Sequence, residues 1–200
     1  MKDNDELKRI NVKFFNKIAN YYDFFLMKKL FTLVQKKVIN YLNIKKNSRI
    51  LDIGCGTGNF LSILEKKNKN LKLYGIDISK EMLKIAETRL KSSTLLINSA
   101  EEIKFKNEFD YVFSTEAFHH FSNQEKAVKN FYNALKKNGK LIIADVEMGF
   151  IFNFIFHIIE PGNNKMSSRE EFRNLFKENN FKNIKQKRIL LIFLMTIGEK

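Results

Sequence analysis

Between residues 49 and 145 the chain alternates short apolar runs with longer stretches whose apolar positions recur at three- and four-residue spacing. The short runs are Ile50 to Ile53, Lys72 to Asp77, Leu95 to Asn98, Phe109 to Ser114 and Leu141 to Asp145. Each is rich in β-branched or aromatic residues and reads as a buried strand. The stretches between them predict helices from Asn59, from Ser79 to Leu90 and from Gln124 to Lys137. In the last of these, Ala127, Val128, Phe131, Ala134 and Leu135 share the buried side. Strand and helix in alternation predict an α/β fold around a parallel sheet.

The flanks read differently. Residues 11–42 predict helix, first with Val12, Phe15, Ile18, Ala19 and Tyr22 on one face. A second pattern follows with Leu30, Leu33, Val34, Val38, Ile39 and Leu42. Met148 to Ile159 is almost wholly apolar, and Gly149, Asn153 and His157 form its one polar seam. Twelve residues are too few to span a bilayer. A core helix, a lid over an apolar pocket and a membrane-resting helix all fit that pattern. Ser168 to Glu171 predicts a capping box for a helix reaching Asn179. Phe181 to Lys187 and Ile192 to Ile197 then predict a closing antiparallel pair.

The first strand carries the candidate chemistry. Gly54, Gly56 and Gly58 follow it at every second position and force a tight turn that a ligand can approach closely. The helix behind presents unpaired N–H groups and a partial positive charge to an anion. The dinucleotide fingerprint needs a glycine where Asn59 stands. Asp77 ends the second strand 19 residues beyond Gly58, where a carboxylate suits ribose hydroxyls. Ser79 is the better cap for the next helix, which leaves Asp77 for a ligand.

Asp52 to Gly58, read as D-x-G-x-G-x-G, resembles the first motif of the class I S-adenosylmethionine-dependent methyltransferases. Phe15 to Asp23 resembles the F-x-x-I-A-x-x-Y-D phrase of the ubiquinone- and menaquinone-biosynthesis methyltransferases and related small-molecule enzymes. Phe109 to Val112 matches their F-D-x-V, His119-His120 their H-H-x, and Gly198 to Lys200 their G-x-K ending. Two phrases depart. Ser99 stands where D-A-E-x-L has an aspartate, and Lys136 to Lys140 replaces L-K-P-G-G, with Asn138-Gly139 supplying the turn.

That resemblance implies a three-layer Rossmann-like fold with a seven-stranded, mostly parallel sheet, one antiparallel strand, helices on both faces and an N-terminal helical cap. One domain over 1–200 is expected: cap 1–47, cofactor-binding core 48–147, apolar lid-like insertion 148–166, and a C-terminal helix and strand pair 167–200. The implied cofactor is S-adenosyl-L-methionine. Its implied contacts are Tyr22, Asp52, Gly54, Cys55, Gly56, Gly58, Asp77, Ile78, Met82, Ser99, Ala100, Glu101, Ser114 and Thr115. Tyr22 fits equally an aromatic staple between helix and sheet, and Ile78 and Met82 fit equally a core. Phe118, His119, Phe152 and Phe156 are expected on the substrate side, with His119 or His120 as a base for an oxygen or nitrogen acceptor.

Composition narrows the acceptor. The net charge of +14 is concentrated in residues 1–50, where 12 basic and 4 acidic side chains leave +8. A basic quarter keeps an RNA methyltransferase or RNA-binding module as an alternative, beside a non-catalytic cofactor-binding protein. Enzymes acting on exocyclic base nitrogens resemble one another in a Pro-Pro-aromatic loop, but Pro161 is the only proline. Cytosine C5 enzymes use a Pro-Cys nucleophile, whereas the single cysteine, Cys55, follows Gly54. A small-molecule acceptor with an apolar part is therefore the leading expectation. One cysteine fits a reducing cytoplasm, and no metal-ligand spacing occurs. The charged opening Lys2 to Glu6 predicts no leader peptide, and contact with a membrane surface stays open.

Overall fold

A computed structural model describes residues 3–22, 25–147, 167–190 and 192–200. Helices α1 (Asn4–Tyr22) and α2 (Phe25–Tyr41) precede β1 (Arg49–Ile53), α3 (Asn59–Lys67), β2 (Lys72–Asp77), α4 (Lys80–Arg89) and β3 (Thr94–Ile97). Then come β4 (Phe109–Thr115), a single 3-10 turn at Phe118–His120, α5 (Gln124–Ala134), β5 (Leu135–Val146), α6 (Arg169–Glu178), β6 (Lys182–Leu190) and β7 (Phe193–Glu199). The seven strands form one sheet in the order β3-β2-β1-β4-β5-β7-β6. Strand β7 alone runs against the rest, pairing antiparallel with both β5 and β6. Among the described residues no helix is long and apolar enough to cross a membrane.

Alternation along the central strands builds two cores. Ile50, Phe113, Ile142 and Ala144 point to the face covered by α2 and α3, where Val34, Val38, Phe60, Leu61 and Leu64 pack. Leu51, Ile53, Val112, Leu141 and Ile143 point to the other, against Val128 and Phe131 of α5 and Phe172 and Phe176 of α6. Both sheet faces are covered, which is why these strands read as continuous apolar runs.

The chain reverses direction across the sheet between β1 and β4: β2 and β3 lie to one side, β5 to the other. Ligands in such sheets bind at this switch point, beyond the carboxyl ends of the strands. Asp52, Asp77, Thr115 and Asp145 therefore all arrive at one edge.

Some boundaries differ from the sequence pattern. Helix α1 starts at Asn4 rather than residue 11, with Asp5 and Glu6 in its first turn where acids complement the helix dipole. Helix α5 stops at Ala134 because Leu135 already pairs with Phe109. Strand β5 thus begins six residues before Leu141, and the register jumps between Phe109 and Tyr111. Asn138 sits in that irregularity at φ 63, so the Asn-Gly turn lies inside the strand.

Ser79 caps α4, accepting from the Met82 N–H at 3.1 Å and donating to Asn16 Oδ1 of α1 at 2.7 Å. One hydroxyl thus fixes a helix start and docks the N-terminal cap. Ser79→Ala is expected to lower folding stability by about 1–2 kcal/mol. Urea denaturation checks this, and an unchanged midpoint would contradict it.

Candidate active site

The glycine turn is held from the side by Asp77. Its Oδ2 accepts from the Gly56 N–H and its Oδ1 from the Ser79 N–H, both at 2.8 Å. The Ser79 cap predicts that Asp77 is free for a ligand, but both its oxygens already hold backbone amides. Asp77 ties the loop after β1 to the start of α4. Each oxygen keeps acceptor capacity for a further donor. Burial pushes its carboxyl upward, while the amides of Ser79, Gly56 and Ile78 pull it back.

Two glycines are required for different reasons. Gly54 has φ +75, and a Cβ there would lie 2.5 Å from the Ala117 Cβ. Gly56 has φ +52 and nothing within 4 Å of a Cβ, so its backbone borders open space. That space is a cavity of about 110 Å³, open to solvent, between the sheet edge and the cap.

Of the expected residues, Tyr22, Asp52, Gly54, Cys55, Gly56, Asp77, Ile78, Met82, Ser99, Ala100, Glu101, Thr115 and His120 line this cavity. Gly58, Ser114, Phe118 and His119 do not. Gly58 caps α3 from below the loop. Ser114 is fully buried in β4. Phe118 is also fully buried, packed on Phe121 and Phe172, so it has no surface for a substrate and belongs to the core. Phe152 and Phe156 lie outside the described residues. Cys55 is buried, and burial raises its thiol well above the usual range, with the charges of Asp77 and Asp52 adding to this. It is a packing residue and not a nucleophile.

The adjacent histidines separate. His119 Nδ1 lies 2.7 Å from Asp145 Oδ1, and its N–H donates to Asp145 Oδ2 at 2.9 Å. Burial alone would raise the Asp145 carboxyl, but His119 and the Val146 N–H outweigh it and hold it below the ordinary range. The His120 ring lies tilted against that of His119, centroids 4.0 Å apart, and makes a T-shaped contact with Phe15 at 4.8 Å. Asn11 of α1 donates to the His120 carbonyl at 2.8 Å.

Four residues of the cavity wall carry buried polar atoms with no hydrogen-bond partner: Asn11 Oδ1, both oxygens of Asp52, Ser99 Oγ and Glu116 Oε1. Buried polar groups are almost always paired, so such a cluster marks a place where a ligand completes the bonding. Asp52 is 1% exposed, and burial followed by the charge of Asp77 pushes its carboxyl up to about 8. Glu116 is raised well above the usual range, first by burial and then by Asp145 and Asp52, against the pull of Gln35 and Thr115. A cation entering here would relieve both.

The sequence pattern did not single out Asn11, Gln35, Glu116 or Asp145. Asn11 and Gln35 had one visible signal: each is a polar residue on the otherwise apolar stripe of a cap helix. Glu116 directly follows β4 and Asp145 is the last residue but one of β5, places that only the sheet order makes significant. Among the described residues, no group of three His, Cys, Asp or Glu side chains is placed to hold a metal ion.

The polar groups on this wall fit S-adenosyl-L-methionine. Asp77 would take the ribose hydroxyls, Ser99 and Ala100 the adenine with Ile78 and Met82, and Asp52 the cationic amino-acid end.

Residues 44–191 match the family described as methyltransferase domain. The demethylmenaquinone methyltransferase of Thermotoga maritima is 29% identical over 145 residues, covering 70% of this chain and 62% of that protein. The ubiquinone/menaquinone biosynthesis C-methyltransferase of Wigglesworthia glossinidia brevipalpis is 30% identical over 159 residues, 73% of this chain and 62% of that one. The chain thus spans less than two thirds of the length of both relatives. In fold it resembles a solved S-adenosylmethionine-dependent methyltransferase from Thermotoga maritima, with a TM-score of 0.75 at 22% identity over 97% of this chain and 99% of that one. The match over most of its length places the chain in the methyltransferase domain family, among the class I S-adenosylmethionine-dependent methyltransferases.

Proposed function

We propose that the protein transfers a methyl group from S-adenosyl-L-methionine to a small acceptor with an apolar body. The observation carrying this reading is the run of unpaired buried atoms along one cavity wall, matched in kind to a nucleoside with a cationic tail. The names of the two quinone-pathway relatives support a small, partly apolar acceptor. So do the rings of Phe15, Tyr22, Phe31 and Phe121 around the cavity.

When bound, the cofactor supplies a methyl group on a sulfonium, already activated for in-line displacement. The chain's task is then positioning and exclusion of water. Asp77 preorganises the loop before any ligand arrives. Tyr22 stacks with Phe31 at 6.4 Å and meets Phe15 at 6.1 Å, closing an aromatic wall over the switch point. Helix α1 is latched by the Ser79–Asn16 bond and by the Lys8–Glu102 ion pair at 2.6 Å. His120, on the cavity wall, takes the proton from an acceptor that must lose one. His119 is a positioning residue beneath it, fixed by Asp145.

Labelled methyl donor incubated with cell extract, then fractionated, tests the acceptor class. Label is expected in the lipid or small-molecule pool. Label in RNA would overturn that class, and cofactor binding without transfer to any pool would overturn the enzyme reading.

Two substitutions separate the roles of Asp77 and Ser99. Asp77→Ala is expected to weaken S-adenosylhomocysteine binding by about 1.5–3 kcal/mol and also to lower stability, because it frees the Gly56 and Ser79 amides. Ser99→Ala removes a hydroxyl that has no partner in the fold, so stability is expected to hold or rise while affinity falls by about 0.5–1.5 kcal/mol. Calorimetry and thermal melts check both. Unchanged affinity in either variant would remove that residue from the site.

A further inference from the structure

Two long stretches of the chain carry no acidic side chain. From Phe24 to Leu51 there are seven basic residues and no Asp or Glu, and from Asn179 to Gly198 there are four basic residues and again no acid. The first stretch holds α2, and the second holds β6 and most of β7. The fold sets the two side by side. Lys187 Nζ of β6 lies over the Tyr41 ring of α2, 4.4 Å from its centroid. Phe31 of α2 meets Phe193, the first residue of β7, with ring centroids 6.3 Å apart. Lys67 of α3 brings a further cation, donating to Asn40 Oδ1 of α2 at 2.8 Å.

Helix α2 has two working sides. Phe31 and Gln35 line the cavity, whereas Leu33, Lys36, Lys37 and Tyr41 are exposed. On β6, Lys185 and Lys187 share one side by the strand's alternation, and both are exposed. Glu147 approaches β6 but is already paired with Arg188 and Arg169. Apolar side chains stand among these charges: Leu33 is 46% exposed, and Ile192 at the hairpin between β6 and β7 is 39% exposed. Like charges gathered on one face repel one another, and exposed apolar groups are poorly hydrated. An anionic lipid interface relieves both penalties at once.

We propose that the outer side of α2 and the adjoining side of β6 dock the protein on an anionic lipid bilayer, lysines at the headgroups and Leu33 and Ile192 set between them. This goes beyond the methyl-transfer reading and stands without it. A helix is about 10 Å across, so a bilayer held on the outer side of α2 lies roughly one helix width from the cavity. An acceptor with an apolar body partitions into that same layer. Nucleic acid would use the same charge, but it would also stack bases on an open ring. Tyr41, the exposed ring on this face, already has Lys187 over it, and Leu33 and Ile192 offer nothing to a phosphate backbone. These features favour lipid.

Sedimentation with vesicles of phosphatidylcholine, alone or mixed with phosphatidylglycerol, tests this without cofactor at an ionic strength of about 0.15 M. The wild type is expected to bind the mixed vesicles at least about tenfold more tightly than the neutral ones, and to lose that preference in about 1 M salt. Lys36→Glu, Lys37→Glu and Lys187→Glu together should weaken binding by at least about thirtyfold, since each basic side chain at such a surface contributes roughly fivefold. Lys106→Glu, Lys126→Glu and Lys129→Glu change the net charge equally, but from the α5 side of the sheet. That triple variant should stay within about threefold of the wild type. Leu33→Ser leaves the charge unchanged and should weaken binding roughly fivefold. Thermal melts establish that each variant is folded. Equal loss in the two triple variants would overturn the proposal, as would binding to single-stranded RNA without binding to vesicles. Absence of any preference for the mixed vesicles in the wild type overturns it with no variant needed. Failure to bind S-adenosylhomocysteine would instead refute the methyl-transfer reading and leave the vesicle result standing.

Discussion

The site depends on one carboxylate and two backbone amides. Asp77 accepts from Gly56 on one side and Ser79 on the other, joining the loop after β1 to the helix after β2. A loop with three positive-φ glycines has little to hold it by side-chain packing. The Asp77 clamp supplies that, and Gly54 and Cys55 complete it by donating to the Ile76 carbonyl at 2.8 and 3.0 Å. The same oxygens remain able to accept from a ligand, so one residue both shapes the cradle and contributes to it.

Electrostatics at the sheet edge follow from topology. Strands β1, β2, β4 and β5 run parallel, so their carboxyl ends deliver Asp52, Asp77, Glu116 and Asp145 to one region. Asp77 and Asp145 are paired within the fold, and Asp145 is held ionised by His119. Both oxygens of Asp52 lack a partner and Glu116 has only neutral donors on one side, so both rise. Such an edge is unfavourable for an isolated fold and favourable for a ligand that carries positive charge. A functional site is where departures from full polar satisfaction are expected.

The sheet, the glycine loop and Asp77 were legible in the sequence because each rests on local signals: apolar runs, glycine spacing and a residue at a strand end. Ser79 and Ser168 were legible as caps for the same reason, and both make their cap bonds. What escaped depends on contacts distant in the chain. Gln35 meets Glu116 across 81 residues and Asn11 meets His120 across 109. No periodicity reports such a pair. Phe118 reads as substrate-facing beside two histidines, yet the 3-10 turn at Phe118–His120 carries it into the α5 and α6 core. The clamp made by Asp77 was hidden because a cap at Ser79 leaves open which amides the acid itself holds.

The central claim is that the unpaired polar atoms of this cavity are completed by a nucleoside with a cationic amino-acid tail. Thermal denaturation of the purified protein with saturating S-adenosylhomocysteine, set beside the same measurement with NAD, tests it most directly. Ligand that binds only the folded state raises the midpoint by mass action. S-adenosylhomocysteine should raise it by several degrees and NAD should leave it unchanged. Stabilisation by NAD with none from S-adenosylhomocysteine would contradict the claim.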